Sequence, residues 1–213
     1  MFYLVLLPII ISFLSSIAVY IRRPNPLYLQ FFPAFLFISI LVQIIGPWLA
    51  MKTGNNAPLL NFYSILNFCF YLFVLKDVIV SRLVKQGIKI IIIAFLIWSL
   101  YNVFFIQKVD MWNSMTYSTG CLLVVALSIY YFFELFKRPA FIDLKKEPSF
   151  WIISGIMFFC ACSFPFLGLA NFLLNAPLVL INNLSTILTL LSVLMYALFT
   201  IAFICRLRFR KPV

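Results

Sequence analysis

The charged residues of this chain are confined to short segments between long apolar runs. A helix needs about 20 consecutive apolar residues to cross a bilayer. Seven runs of about this length contain no Asp, Glu, Lys or Arg: residues 2–21, 27–50, 58–75, 90–106, 111–133, 149–174 and 180–205. The last two lie in one charge-free stretch that is too long for a single crossing, so a turn is expected there, marked by Asn171, Asn175, Pro177, Asn182 and Asn183. With 65% apolar and 10% charged residues, the chain has too little polar surface to coat a soluble globule. The sequence therefore predicts an all-α membrane bundle of seven transmembrane helices.

Basic residues sort into alternate loops. Of the sixteen Lys and Arg residues, only Lys52 and Lys108 follow an even-numbered run. The positive-inside rule then predicts an N-terminus outside and a cytoplasmic C-terminus. Loops of this kind face anionic lipid headgroups, so we interpret the net charge of +11 as a sign of membrane topology and expect no nucleic-acid partner.

Two parts of the chain resemble one another. Arg-Pro ends the first run at 23–24 and the fifth at 138–139, and Asn-Ala-Pro-Leu precedes the third run at 56–59 and the seventh at 175–178. This echo predicts a single transmembrane domain, 1–213, in which parallel three-helix units 1–80 and 111–206 are linked by helix 90–106. The alternative is that both short motifs are ordinary loop chemistry.

No Asp, Glu, Lys or Arg lies near the middle of any run, and the chain has no His. Proton relays, ion-coupled carriers and voltage sensors need intramembrane charges. Conventional Ser-His-Asp hydrolases and imidazole zinc sites need His. Cys160, Cys162 and Met157 offer soft ligands, but residues two apart on a helix point in different directions, which favours packing. We therefore expect a protein that is not an enzyme and that holds no metal or cofactor.

Uncharged polar residues form stripes on several of the runs. Two interpretations remain open for them: polar contacts between packed helices, each worth about 0.6 kcal/mol, or a neutral polar pocket open to the outside. For the pocket, the candidate ligand-binding residues are Asn61, Ser64, Asn67, Asn102, Tyr117, Asn182, Thr189 and Ser192. Pro47 and Pro165 are candidate hinges around it, although membrane helices also accommodate proline as a simple kink.

Four segments resemble a known family. Residues 61–68 (NFYSILNF) are similar to a motif of small bacterial seven-helix inner-membrane proteins, and residues 131–135, 148–155 and 183–199 are similar to further parts of it. The resemblance covers about two thirds of the chain. It implies a seven-helix bundle in the bacterial inner membrane and carries no activity. The chain also looks like the seven-helix input modules of sensor kinases, and its layout is similar to that of sugar facilitators with triple-helix repeats, whose Pro-Gln signature is replaced by Pro47 and Trp48.

Two functional hypotheses follow. The first is a sensor or regulatory subunit that binds a neutral or amphipathic small molecule, a partner membrane protein or a second copy of itself. The alternative is a uniporter of a small neutral solute, with its route lined by Asn67, Asn102, Tyr117, Thr189 and Ser192. An intramembrane lipid enzyme is less favoured, because acid-base catalysis needs a titratable group near the substrate.

Overall fold

Seven long helices make up most of the structure. The computed structural model describes residues 2–22, 25–137, 144–168 and 177–208, and the side chains of all of these except 2, 3, 178–180 and 182. The helices are α1 (Phe2–Ile21), α2 (Leu27–Thr53), α3 (Ala57–Val78), α4 (Arg82–Tyr101), α5 (Ser114–Phe136), α6 (Pro148–Gly168) and α7 (Leu178–Arg208). Each includes a segment long and apolar enough to cross a membrane. The prediction of an all-α bundle with seven transmembrane helices is confirmed, and such a bundle is compatible with a multi-pass integral membrane protein.

Several helices extend beyond the apolar runs that predicted them. Helix α4 begins at Arg82 rather than at residue 90, and α2 continues past Lys52 to Thr53. Lys and Arg are good helix formers, and their long side chains reach the polar boundary while the backbone stays helical. Helix α2 ends where Gly54 adopts the left-handed φ of 77° and its N–H donates to the Ala50 carbonyl at 2.9 Å.

The turn predicted between the last two runs falls partly outside the described residues, as do Asn171 and Asn175. Pro177 directly precedes α7, whereas Asn182 and Asn183 lie within that helix rather than in the turn. A proline just before or at the start of a helix agrees with its fixed φ. The predicted orientation and internal repeat stay predictions.

Hydrogen bonds between loops define two faces of the bundle. At the N-terminal face, where α1, α3, α5 and α7 begin, Asn55 Nδ2 donates to the Asp110 carbonyl at 2.9 Å. At the C-terminal face, where these four helices end, the Tyr28 N–H donates to Asp77 Oδ2 at 3.1 Å. The Glu134 carboxylate there accepts from the N–H groups of Val80 and Ser81, just before α4 begins. Both carboxylates thus satisfy backbone donors near helix starts.

Six helices form a closed ring, and one lies outside it. The ring runs α1, α2, α3, α5, α6, α7 and back to α1, while α4 packs mainly on α3. Helices α3 and α5 approach closely at Gly120, where an added Cβ would lie 2.5 Å from the Phe68 ring. Large apolar side chains such as Leu14 and Ile93 are exposed on the outside of the bundle, as expected for a surface solvated by lipid.

Candidate functional site

A cavity of about 450 Å³ lies between α1, α2, α6 and α7. Helix α7 contributes residues between 181 and 192, α6 contributes Phe166 and Leu167, and Val5 and Gln43 come from α1 and α2. Val5 is near the start of α1 and Leu167 is near the end of α6, so the cavity belongs to the half of the bundle next to the N-terminal face. Its size is within the range of about 300–1,000 Å³ that is typical of small-molecule sites.

The described residues that line this cavity include neutral polar groups and no charged ones. Thr189 Oγ1 donates to the Ser185 carbonyl at 2.8 Å, and Ser192 Oγ donates to the Leu188 carbonyl at 2.9 Å. A hydroxyl that donates within its own helix keeps lone pairs that accept from a ligand. Gln43 is half-buried and, among the described residues, its side-chain amide makes no hydrogen bond, so it adds both donors and an acceptor.

A cluster of hydroxyls lies one helical turn deeper. Ser39 is four residues from Gln43 in α2, and Tyr196 is four residues from Ser192 in α7, so each lies on the face of its helix that borders the cavity. The Tyr63 hydroxyl donates to Ser39 Oγ at 2.9 Å and also interacts with the Tyr196 hydroxyl. These three residues of α2, α3 and α7 place a polar layer beneath the cavity.

Beneath the hydroxyls, buried aromatic rings close the bundle. Phe32 contacts Phe199 and Phe203, each with ring centroids 5.3 Å apart, and all three side chains are fully buried. Phe35 stacks on Phe70 with centroids 4.0 Å apart. These rings therefore lie between the hydroxyls and the C-terminal face.

A second polar cluster lies apart from the cavity, between α3, the 107–113 loop and α5. Asn61 Nδ2 donates to the carbonyls of Val109 at 3.0 Å and Met111 at 2.8 Å, and Asn61 Oδ1 accepts from the Asn113 N–H at 3.0 Å. Asn102 belongs to a π-helical turn, Asn102–Ile106, and its Nδ2 donates to Asn113 Oδ1 at 2.7 Å. Both buried amides therefore connect a helix to residues at the end of the 107–113 loop.

Of the other candidate ligand-binding residues, some line the cavity and others lie elsewhere in the bundle. Ser64 Oγ donates to the Asn61 carbonyl within α3, and the Tyr117 hydroxyl pairs with Ser163 Oγ of α6 at 3.1 Å. Asn67 is buried, and its Oδ1 has no partner among the described residues. Thr189 and Ser192 line the cavity, whereas the side chain of Asn182 is not among those that the structure describes. The structure thus brings Thr189 and Ser192 together and places Asn61, Asn102 and Tyr117 elsewhere.

Both candidate hinge prolines lie next to cavity residues without interrupting their helices. Pro47 is four residues after Gln43 in α2, so the Gln43 carbonyl lacks the amide donor that it would have in a regular helix. Pro165 directly precedes Phe166 in α6. A role as hinges stays a prediction.

Sequence reasoning missed Gln43 as a cavity residue and Ser39 as part of the layer beneath. The available signal was their spacing, because polar residues four apart in an otherwise apolar run share one helix face. This spacing does not show which helix packs against that face of α2, because the neighbour depends on how the ring of helices closes.

Among the described residues, no group of three or more His, Cys, Asp or Glu side chains is placed to hold a metal ion. The expectation of no metal or cofactor stays a prediction. Comparison with protein-family models, with curated proteins and with solved structures found no match for this chain. Its function is therefore inferred from the cavity and its surroundings.

Proposed function

We propose that this chain is a non-enzymatic, multi-pass protein of a bacterial inner membrane that binds a neutral amphipathic small molecule in its cavity and acts as a sensor or regulatory subunit. The observation that carries the proposal is the cavity itself. Among the residues that the structure describes there, the polar ones are all uncharged: Gln43, Ser185, Thr189 and Ser192. A charged ligand would have no partner there, and burying an unpaired charge is unfavourable.

The arrangement of the cavity walls supports a particular kind of ligand. Apolar residues such as Leu184, Leu188 and Phe166 make up most of the lining. The Thr189 and Ser192 hydroxyls offer acceptors on α7, and the Gln43 amide adds donors from α2. A molecule with an apolar body and a hydroxyl or amide head would satisfy both requirements.

Helix α7 supports a signalling role. It has 31 residues, which corresponds to about 46 Å of helix, and it extends from the cavity to the C-terminal face. There Arg206 Nε donates to Asn25 Oδ1 at 3.3 Å, beside the start of α2. A ligand that shifts α7 would therefore change contacts at the opposite face, where a partner protein would detect them.

The alternative of a uniporter needs a route to the C-terminal face, and the aromatic layer formed by Phe32, Phe199 and Phe203 lies across it. We expect proteoliposomes to show no accelerated swelling with erythritol, a small neutral solute. Swelling above that of empty liposomes would favour the transporter.

Ligand binding is tested by photolabelling with a diazirine derivative of octanol, a neutral amphiphile, followed by mass spectrometry of the labelled peptides. We expect labelling of α7 between residues 181 and 192, reduced by excess octanol but not by octanoate or octylammonium. Leu188→Trp fills the cavity and should remove most of the label. Ile187→Trp is the matched control, because the neighbouring side chain is exposed and does not line the cavity.

Gln43→Leu should weaken competition by octanol, whereas Gln30→Leu, in the same helix but outside the cavity, should not. The proposal is wrong if Leu188→Trp labels as strongly as the natural protein, or if the charged amphiphiles compete as well as octanol does.

A further inference from the structure

A groove of about 320 Å³ lies between α2 and α3. Its α2 residues are on a different face of that helix from the cavity residue Gln43, and it shares no lining residue with the cavity. Its walls include the rings of Phe31, Phe35, Phe70 and Phe73, together with Ala34 and Ile38. Phe31 and Ala34 are exposed on the outer surface, so the groove faces the surrounding lipid rather than the bundle interior.

The groove is long enough to hold part of a lipid acyl chain. From Ile38 to Phe31 it follows seven residues of α2, which corresponds to about 10 Å. One leaflet of the hydrocarbon core is about 15 Å thick. Phe31 lies four residues after the start of α2 and Phe73 lies five residues before the end of α3, so the groove extends from mid-depth to the C-terminal face.

A positive charge lies where the groove reaches that face. Lys76 Nζ is 4.6 Å from the centroid of the Phe73 ring, which is itself a groove wall. Residues 76–89 hold four basic side chains and one carboxylate, that of Asp77. Asp77 Oδ2 already accepts from the Tyr28 N–H, and Lys85 Nζ lies 3.4 Å from the Asp77 carbonyl. Among the described residues, Lys76 is thus the basic side chain that contacts a wall of the groove at its mouth.

We propose that this groove is a binding site for an anionic phospholipid, with an acyl chain against the four Phe rings and the phosphate paired with Lys76. Apolar walls inside the membrane accept any acyl chain, so the preference for an anionic headgroup comes from Lys76. A basic side chain near the headgroup region favours an anionic lipid by about fivefold in affinity. The inference concerns a site separate from the cavity and does not depend on the proposed function.

The test is native mass spectrometry of the full chain with equal amounts of phosphatidylglycerol and phosphatidylcholine that have identical acyl chains. We expect phosphatidylglycerol to be retained about fivefold more than phosphatidylcholine. Lys76→Gln should reduce this ratio to about one while leaving phosphatidylcholine bound. The matched control is Lys137→Gln, because Lys137 lies 4.0 Å from the Phe133 ring at the same face and neither residue lines the groove.

Ala34→Trp fills the groove from its exposed side and should reduce retention of both lipids. If that variant does not fold, Phe73→Leu, which removes the ring between the groove and Lys76, should lower the phosphatidylglycerol ratio in its place. Equal effects of Lys76→Gln and Lys137→Gln would overturn the proposal. So would a dimer of the natural chain that Ala34→Trp dissociates, since the groove would then be occupied by a second copy.

Discussion

Gly120 provides a quantitative test of the packing between α3 and α5. A methyl group at this position would lie 2.5 to 2.7 Å from three carbons of the Phe68 ring. Carbon atoms pack at about 3.5–4.0 Å, so Gly120→Ala requires the ring to move by about 1 Å. Phe68 has little room to do so, because it is 1% exposed and contacts Phe95 and Tyr117 with centroids 6.0 and 5.1 Å away.

Overpacking of a buried site costs about 1–3 kcal/mol, and replacing Gly by Ala inside a helix recovers up to about 1 kcal/mol. We therefore expect Gly120→Ala to lower the free energy of unfolding by about 1–2 kcal/mol. Unfolding in mixed micelles with increasing SDS measures this quantity.

Gly87→Ala is the matched control for this substitution. It also lies within a helix, but its added Cβ meets no atom within 4 Å, so the same exchange should stabilise the protein slightly. Combining Gly120→Ala with Phe68→Leu should recover at least about 1 kcal/mol relative to the sum of the single changes, because the shorter side chain relieves the clash. A Gly120→Ala protein as stable as Gly87→Ala would refute the close approach of the two helices.

Two further predictions concern the loops. Asn61→Ala breaks three hydrogen bonds of a buried amide and should lower the free energy of unfolding by about 2–3 kcal/mol in the same assay. Asn55→Ala, which loses two exposed bonds, one to the Asp110 carbonyl and one from the Ala57 N–H, should cost about 1 kcal/mol or less. Equal losses would contradict the anchoring role of Asn61. Glu134→Ala removes the acceptor for two N–H groups that precede α4 and should increase amide hydrogen exchange at residues 80 and 81, with a smaller increase in Glu134→Gln. Unchanged exchange in both variants would show that the carboxylate does not hold these amides.

The number of helices was predictable because it depends on an energetic rule that acts on each residue separately. A charged side chain in hydrocarbon is unfavourable wherever it occurs, so the charge-free runs count the crossings without any knowledge of packing. The helix ends were less predictable. Arg82 and Lys52 are compatible with both helix and loop. Only the structure shows that α4 begins before its apolar run and that α2 ends after the apolar run that predicted it.

The polar stripes show what the sequence left open. Asn61, Asn102 and Thr189 are alike in being uncharged and polar within apolar runs. In the structure, Asn61 and Asn102 form hydrogen bonds that hold a loop, whereas Thr189 lines the cavity. Which role an amide or hydroxyl takes depends on the helix opposite it, and that helix is set by the closure of the ring.

Composition and the spacing of charges were enough to predict the all-α class and seven helices long and apolar enough to cross a membrane, because both follow from the transfer of single residues between water and lipid. Three features could be learned only from the packed helices: α4 lies outside the ring, Gln43 faces the same cavity as Ser192, and Phe32 meets Phe199 and Phe203 beneath that cavity. These features depend on contacts between residues far apart in the chain. In lipid such contacts are selected by shape and hydrogen bonding, because the lipid tails are as apolar as the side chains that face them.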